Sequence, residues 1–240
     1  MTLKQTYKRH KIKQKQKQKR ERERAIMKTM FLCAGDIELI ENTQPIGIGL
    51  MNASINLTKK LCECNVKGRD GGANGEKGGD YVAQKDAIER IIFIGSAGSY
   101  DYEIPLLSTF YATCATQIEQ SYAFNKSYCP LDPIWWSDVT KSSKDLAQKE
   151  QVLSGAKEAI VNSSNFISMD VGFANFMKER KIILENMEFY AIWRVGLAFN
   201  IPVLGIFCIS NYCNEFAHSD FVKNHKKTLE ILRQIRSGHK

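Results

Sequence analysis

Three short segments of the chain combine residue types that can do chemistry. Gly95-Ser96-Ala97-Gly98 follows directly on an apolar run over residues 91–95. Glycines there let the backbone approach a ligand closely, and Ser96 adds a hydroxyl beside backbone N–H groups, so such a turn can hold a phosphate or a polarised water. Asn186-Met187-Glu188 opens a helical pattern, where a Glu is ordinarily a partner of the helix dipole. Ser210-Asn211 follows the apolar run 202–209, a place where Asn ordinarily serves as a turn or cap residue. Each segment alone has a plain structural explanation. Their significance depends on whether the fold brings them together.

The elements that would position them alternate between two periods. Short apolar runs predict strands over residues 30–34, 45–49, 91–95, 159–167 and 202–209, with one long strand or two short ones over 106–118. Helical spacing predicts helices over 51–61, 170–178, 187–199 and 220–236, the last with Phe221, Leu229, Leu232 and Ile235 on its apolar stripe. Residues 63–89 are polar and rich in glycine and read as a surface loop. Strands separated by helices predict an α/β sandwich around a mixed, mostly parallel sheet. Ligands of such sheets bind at the carboxyl ends of strands, which directs attention to the loops after Ala34, Gly95, Ile167 and Ile209.

Composition narrows the function classes. The 240 residues suffice for one domain with a sizeable core. The net charge of +8 is concentrated in a tail: residues 1–24 hold eleven Lys or Arg against two Glu, and the remaining residues hold 23 against 24. Residues 1–26 are therefore expected to be a basic, low-complexity tail. They could bind nucleic acid weakly through phosphate contacts, but the near-neutral body speaks against a nucleic-acid-binding protein. Met27 and Met30 directly precede the first predicted strand, and the tail is read as an extension without function. No long apolar run and no secretory signal pattern is present, so a cytoplasmic protein without membrane contact is expected. Seven widely spread cysteines read as small buried hydrophobes. His10, His218, His225 and His239 form no ligand spacing with cysteines or carboxylates, so no metal is expected.

Taken together and in order, the segments resemble the nucleoside phosphorylase and nucleosidase superfamily. Gly47-Ile48-Gly49 with Asn52-Ala53 is similar to its strand-to-helix glycine pair followed by Asn-Ala, and the GSAG at 95–98 to its GSAG or GTAG turn. IVNSSNFI at 160–167 and ENMEFYAIWRVGLAFNIPVLGIFCISN at 185–211 resemble its later strand, its Met-Glu helix and its final strand. The short N-terminal part looks most like the small Helicobacter-type purine nucleoside phosphorylases. The resemblance implies a single-domain three-layer sandwich, no cofactor, a homo-oligomer, and cleavage of purine nucleosides with inorganic phosphate as co-substrate in purine salvage. It implies that Glu188 binds the ribose hydroxyls, that Met187 packs beneath the sugar, and that Phe166 and Ile167 hold the purine. Asn211 would face purine N7 and favour 6-oxopurines. Gly35, Gly95 and Ser96 would line the site of phosphate or the attacking water.

The pattern is broken at the phosphate site. Gly35-Asp36 continues as Ile37-Glu38 without an arginine, and Phe93 stands where hexameric phosphorylases carry one. A phosphate dianion needs fixed cations, which Arg90, Arg194 or a neighbouring subunit would have to supply. The alternative is a hydrolytic nucleosidase in which Glu38 acts as the base toward water. A further alternative is a nucleoside-binding protein without catalysis.

Overall fold

The computed structural model describes residues 29–66, 88–130, 143–145, 147 and 155–238. The basic tail at 1–26 lies outside them, as do residues 67–87 of the loop expected at 63–89; residues 63–66 of that expected loop instead end a helix, Leu50–Val66. In chain order the strands are β1 (Thr29–Cys33), β2 (Gln44–Pro45), β3 (Arg90–Ser99), β4 (Thr109–Ala112), β5 (Ala115–Thr116), β6 (Lys157–Glu158), β7 (Ile160–Asn162), β8 (Ile182–Glu185) and β9 (Val203–Tyr212). The helices are α1 (Leu50–Val66), the single turn α2 (Gln120–Ala123), α3 (Val171–Glu179), α4 (Phe189–Ala198) and α5 (Ala217–Ser237). A single 3₁₀ turn, Asp36–Glu38, follows β1.

The strands form one sheet in the order β5-β7-β8-β3-β9-β4-β6, with β1 beside the first half of β3 and β2 beside β1. Only the β3–β8 and β4–β9 pairings are antiparallel, so the sheet is mixed and mostly parallel. At its centre, β3 and β9 run parallel from Ile91 opposite Val203 to Ala97 opposite Ile209. Their nearly continuous apolar sequences follow from burial on both faces. Ile91, Phe93 and Ala97 face a core completed by Leu57 and Leu61 of α1 and Ile192 and Trp193 of α4. Ile92 and Ile94, the alternate residues of β3, face Leu229 and Leu232 of α5. This period-2 alternation produces the three layers. Trp193 is buried with its indole N–H donating to the Thr113 carbonyl at 3.1 Å, so its polar group is satisfied. Among the described residues no helix is long and apolar enough to cross a membrane.

Several boundaries differ from the sequence expectation. Of the two arrangements expected over 106–118, the structure has the two short strands, β4 and β5. The expected strand at 45–49 stops at Pro45, because Gly47 and Gly49 take positive φ values of 99° and 85° and turn the chain into α1. The strand expected over 159–167 ends at Asn162. Both central strands run past their apolar stretches, so Ser96–Gly98 and Ser210–Asn211 lie inside β3 and β9 and are not turns. β8 has no counterpart in the sequence reading. It is four residues long and its alternation is too brief to register.

The α4–β9 contact depends on Gly196. A Cβ there would lie 2.2 Å from Val203 Cγ2 and 3.0 Å from the Ile201 carbonyl oxygen. Val203 is β-branched and central in the sheet, so it has little freedom to yield. Gly196→Ala is expected to destabilise the protein by roughly 1–3 kcal/mol, overpacking outweighing the ~1 kcal/mol helix-propensity gain. A lowered midpoint of denaturant unfolding checks this.

Candidate functional site

A break in the β3 ladder makes the site. On one edge of β3, β1 pairs only as far as Phe93, and β8 joins antiparallel only at Gly98. Residues 94–97 between them have no strand on that edge. Side chains take the place of the missing partner. The Ser96 N–H donates to Glu38 Oε1 at 3.3 Å, and the Ser96 carbonyl accepts from Asn186 Nδ2 at 3.1 Å. The Ser96 hydroxyl also donates to Glu38. A cleft of about 230 Å³ opens at this gap.

Each functional side chain is held by a local device. Glu38 ends the 3₁₀ turn and is 5% exposed. Asn186 accepts from the N–H groups of Glu188 (3.0 Å) and Phe189 (2.9 Å), satisfying two donors at the start of α4. Glu188, 3% exposed, accepts from the Gly49 N–H at 2.9 Å, a donor that the positive-φ turn at Gly47 and Gly49 presents. A bulge in the β3–β9 register places Gly98 opposite Asn211 and leaves Ser210 without a partner. A Cβ on Gly98 would lie 3.0 Å from Asn211 Nδ2, so the glycine permits this approach. Asn211 Oδ1 accepts from the Ser210 hydroxyl at 2.8 Å, and its Nδ2 donates to the Tyr212 carbonyl at 3.1 Å.

The cleft brings together Gly35, Glu38, Ser96, Ile167, Met187, Glu188 and Asn211. Gly95 lies behind the wall: a Cβ there would meet Glu38 Oε2 at 3.3 Å. Phe166 is not among the lining residues. It is 80% exposed and borders a neighbouring pocket with Ile118, Ser164 and Phe173. Sequence reasoning passed over Glu185, Ile48 and Phe221, which also line the cleft. Glu185 sits in the unforeseen strand. Phe221 was read as part of the apolar stripe of α5, which carries no mark separating core from cleft. His218, in the first turn of α5, reaches the cleft as well.

The electrostatics of the cleft are set by two buried carboxyls whose burial favours the neutral form. Burial pushes the Glu188 carboxyl up to about 7, opposed by the Gly49 N–H and reinforced by the Glu38 charge. Burial likewise raises Glu38, with the Ser96 hydrogen bonds pulling the other way, and Glu38 Oε2 has no protein partner. Among the described residues that line the cleft, none is Lys or Arg.

No protein-family model matches the chain, and no curated protein matches it. Solved structures do. The 5′-methylthioadenosine/S-adenosylhomocysteine nucleosidase of Helicobacter pylori superposes with a TM-score of 0.63 at 16% identity, covering 89% of this chain and 98% of that one. A futalosine hydrolase mutant of Helicobacter pylori gives the same TM-score, identity and coverage. The nucleosidase of Streptococcus pneumoniae gives 0.62 at 15% identity, covering 89% and 98%. The chain therefore shares the α/β fold, with a mixed and mostly parallel central sheet, of these structures. These neighbours are nucleosidases and a futalosine hydrolase, and none of the three is a Helicobacter-type purine nucleoside phosphorylase, the finer likeness expected from the sequence.

Glu188 links the site to stability. Its folded-state value of about 7 exceeds the ordinary 4.5. The folded state holds this proton more tightly, so the group's contribution is full below 4.5 and is lost as pH rises through 7. Glu188→Gln, which can still accept from Gly49, is expected to raise stability at pH 8 by an amount on the order of 2–3 kcal/mol, the gain vanishing toward pH 4.5. Thermal melts of both proteins at the two pH values check this.

Proposed function

We propose that this chain is a purine nucleoside hydrolase. The observation that carries the reading is the pairing of two buried carboxylates, Glu38 and Glu188, with a cleft lining that has no Lys or Arg among the described residues. An inorganic phosphate dianion entering such a pocket would meet no Lys or Arg among the described lining residues and would be repelled by each carboxyl that ionises. Neutral water pays no such penalty and needs a base. The nucleosidase and hydrolase names of the structural neighbours support the same side of the choice. The expectation of phosphorolysis gives way to hydrolysis on these grounds.

Glu38 is suited to act as the base. Its Oε1 is engaged by Ser96, which leaves Oε2 for water. As the C1′–N9 bond breaks, its electron pair leaves with the purine. The water oxygen bonds to C1′, and the water proton passes to Glu38. Glu188 binds the ribose hydroxyls, and its negative charge stabilises the oxocarbenium-like sugar. Met187 packs beneath the sugar, and Ile167 borders the base. Asn211 donates its remaining amide hydrogen to the departing purine. Flipping this amide to accept from a 6-amino group would set its oxygen against the Tyr212 carbonyl.

Product analysis tests the reaction. Inosine, adenosine and 5′-methylthioadenosine are incubated with the protein, with and without phosphate. Free sugar and free base in equal amounts, independent of phosphate, are expected. Phosphate-dependent formation of the sugar 1-phosphate would establish a phosphorylase instead. Saturable binding with neither product would establish a nucleoside-binding protein.

Base choice is the second measurable consequence. A donor at Asn211 matches O6 and N7 of a 6-oxopurine and meets another donor in adenosine. A preference for inosine over adenosine of roughly 10- to 100-fold in kcat/KM is expected, and Asn211→Asp is expected to shift it toward adenosine. Unchanged ratios in the variant would show that Asn211 does not read the base.

A further inference from the structure

Glu185 is a buried carboxylate at the cleft that the proposed hydrolysis does not use. It ends β8 and is 5% exposed. Three nitrogen and oxygen donors converge on it, beside the thiol of buried Cys213. The Ser168 N–H reaches Oε1 at 2.8 Å, the Ser168 hydroxyl reaches Oε2, and the Tyr100 hydroxyl reaches Oε2 at 2.6 Å. Tyr100 in turn accepts from Asn162 Nδ2 at 3.3 Å. Asn162 completes its amide bonds on Thr116 and on both backbone groups of Ile118, at 2.7–3.0 Å. A connected buried network thus runs from β5 through the ends of β7, β3 and β8 to Ser168. Burial and the neighbouring Glu185 charge push the Tyr100 hydroxyl well above its usual value, which keeps it a donor.

Two of the three donors belong to Ser168, and Ser168 lies in the segment joining β7 to α3. That segment carries Phe166 and Ile167. Its start is tied down by Ser163, whose N–H donates to Thr116 and whose hydroxyl accepts from the Tyr190 N–H. The Ser164 hydroxyl bonds only within the segment, to Phe166. Ser168 is therefore its second anchor to the sheet. A carboxylate only accepts, so it fixes the direction of all three donors at once. An amide in its place would turn a donor toward one of them. Burying a carboxylate is costly and is tolerated where such bonds compensate it.

We infer that Glu185 is a positioning residue which, through Ser168, sets the base-side wall of the cleft and governs purine affinity. The inference rests on the nucleoside reading of the site. Glu38 and Glu188 are held by separate devices, the 3₁₀ turn with Ser96 and the Gly49 N–H, so the chemical step is left in place when the wall relaxes.

The test uses the full chain and two variants, Glu185→Gln and Ser168→Ala. Steady-state kinetics on inosine are combined with calorimetric binding of hypoxanthine and adenine, which requires no turnover. Both variants are expected to raise KM and weaken base binding by about tenfold while kcat stays within about threefold, the pattern of lost binding common to ground and transition states. A fall in kcat at unchanged KM, or unchanged base affinity in the variants, would overturn the inference. If Glu185→Gln does not fold, Ser168→Ala carries the same decision alone, because it removes a single hydroxyl. A wild type that binds the bases without turning over nucleosides would sink the hydrolase reading and leave the positioning role to be judged by base affinity.

Discussion

The unpaired edge of β3 at Ser96 is the constraint on which the rest of the site depends. A peptide group in a sheet must place its N–H and C=O somewhere. Here β1 has already diverged and β8 has not yet joined, so Glu38 supplies the acceptor and Asn186 the donor. The same two residues thereby locate the 3₁₀ turn and the start of α4. Asn186 caps the helix, and Glu188 follows two residues later. One gap in the ladder thus creates the cavity and fixes the side chains that face it.

Concentrating carboxylates beside this gap costs stability. Glu38, Glu185 and Glu188 are each at most 5% exposed, and burial raises all three. Glu185 has three donors, Glu188 accepts from Gly49, and Glu38 retains an oxygen without a protein partner. Hydrogen bonding is fullest on Glu185, yet burial still raises it, and Glu38 keeps one oxygen open. This is the pattern of a fold that gives up stability at a functional site. Under the proposed hydrolysis, this arrangement favours a neutral nucleophile over a dianion.

The central strands carry this arrangement from inside the sandwich. β3 and β9 are covered by helices on both faces, and the single bulge between them falls beside the cleft. The bulge changes the register at Asn211 where Gly98 leaves room for it. A larger residue at Gly98 would press on the amide whose direction is fixed by Ser210 and Tyr212.

The sequence by itself determined the layers and pointed to several residues that line the cleft. Period-2 and helical spacing are local, so the strands at 91–95 and 202–209 and the helices of both outer layers were legible. So were Ser96, Met187, Glu188 and Asn211, because each sits at a recognisable junction. Tertiary structure alone decided what those junctions are. Ser96 and Asn211 lie inside strands whose final residues are neither apolar nor regular, and only pairing with a distant strand extends a strand there. β8 is too short to announce itself and exists because β7 and β3 flank it. Glu185 was passed over for the same reason: nothing beside it in the chain shows that Ser168 and Tyr100 will meet on its carboxylate. Whether a carboxylate is a solvated surface charge or a buried, high-pKa group is set by what covers it, and covering is a long-range property that residue type and spacing do not encode.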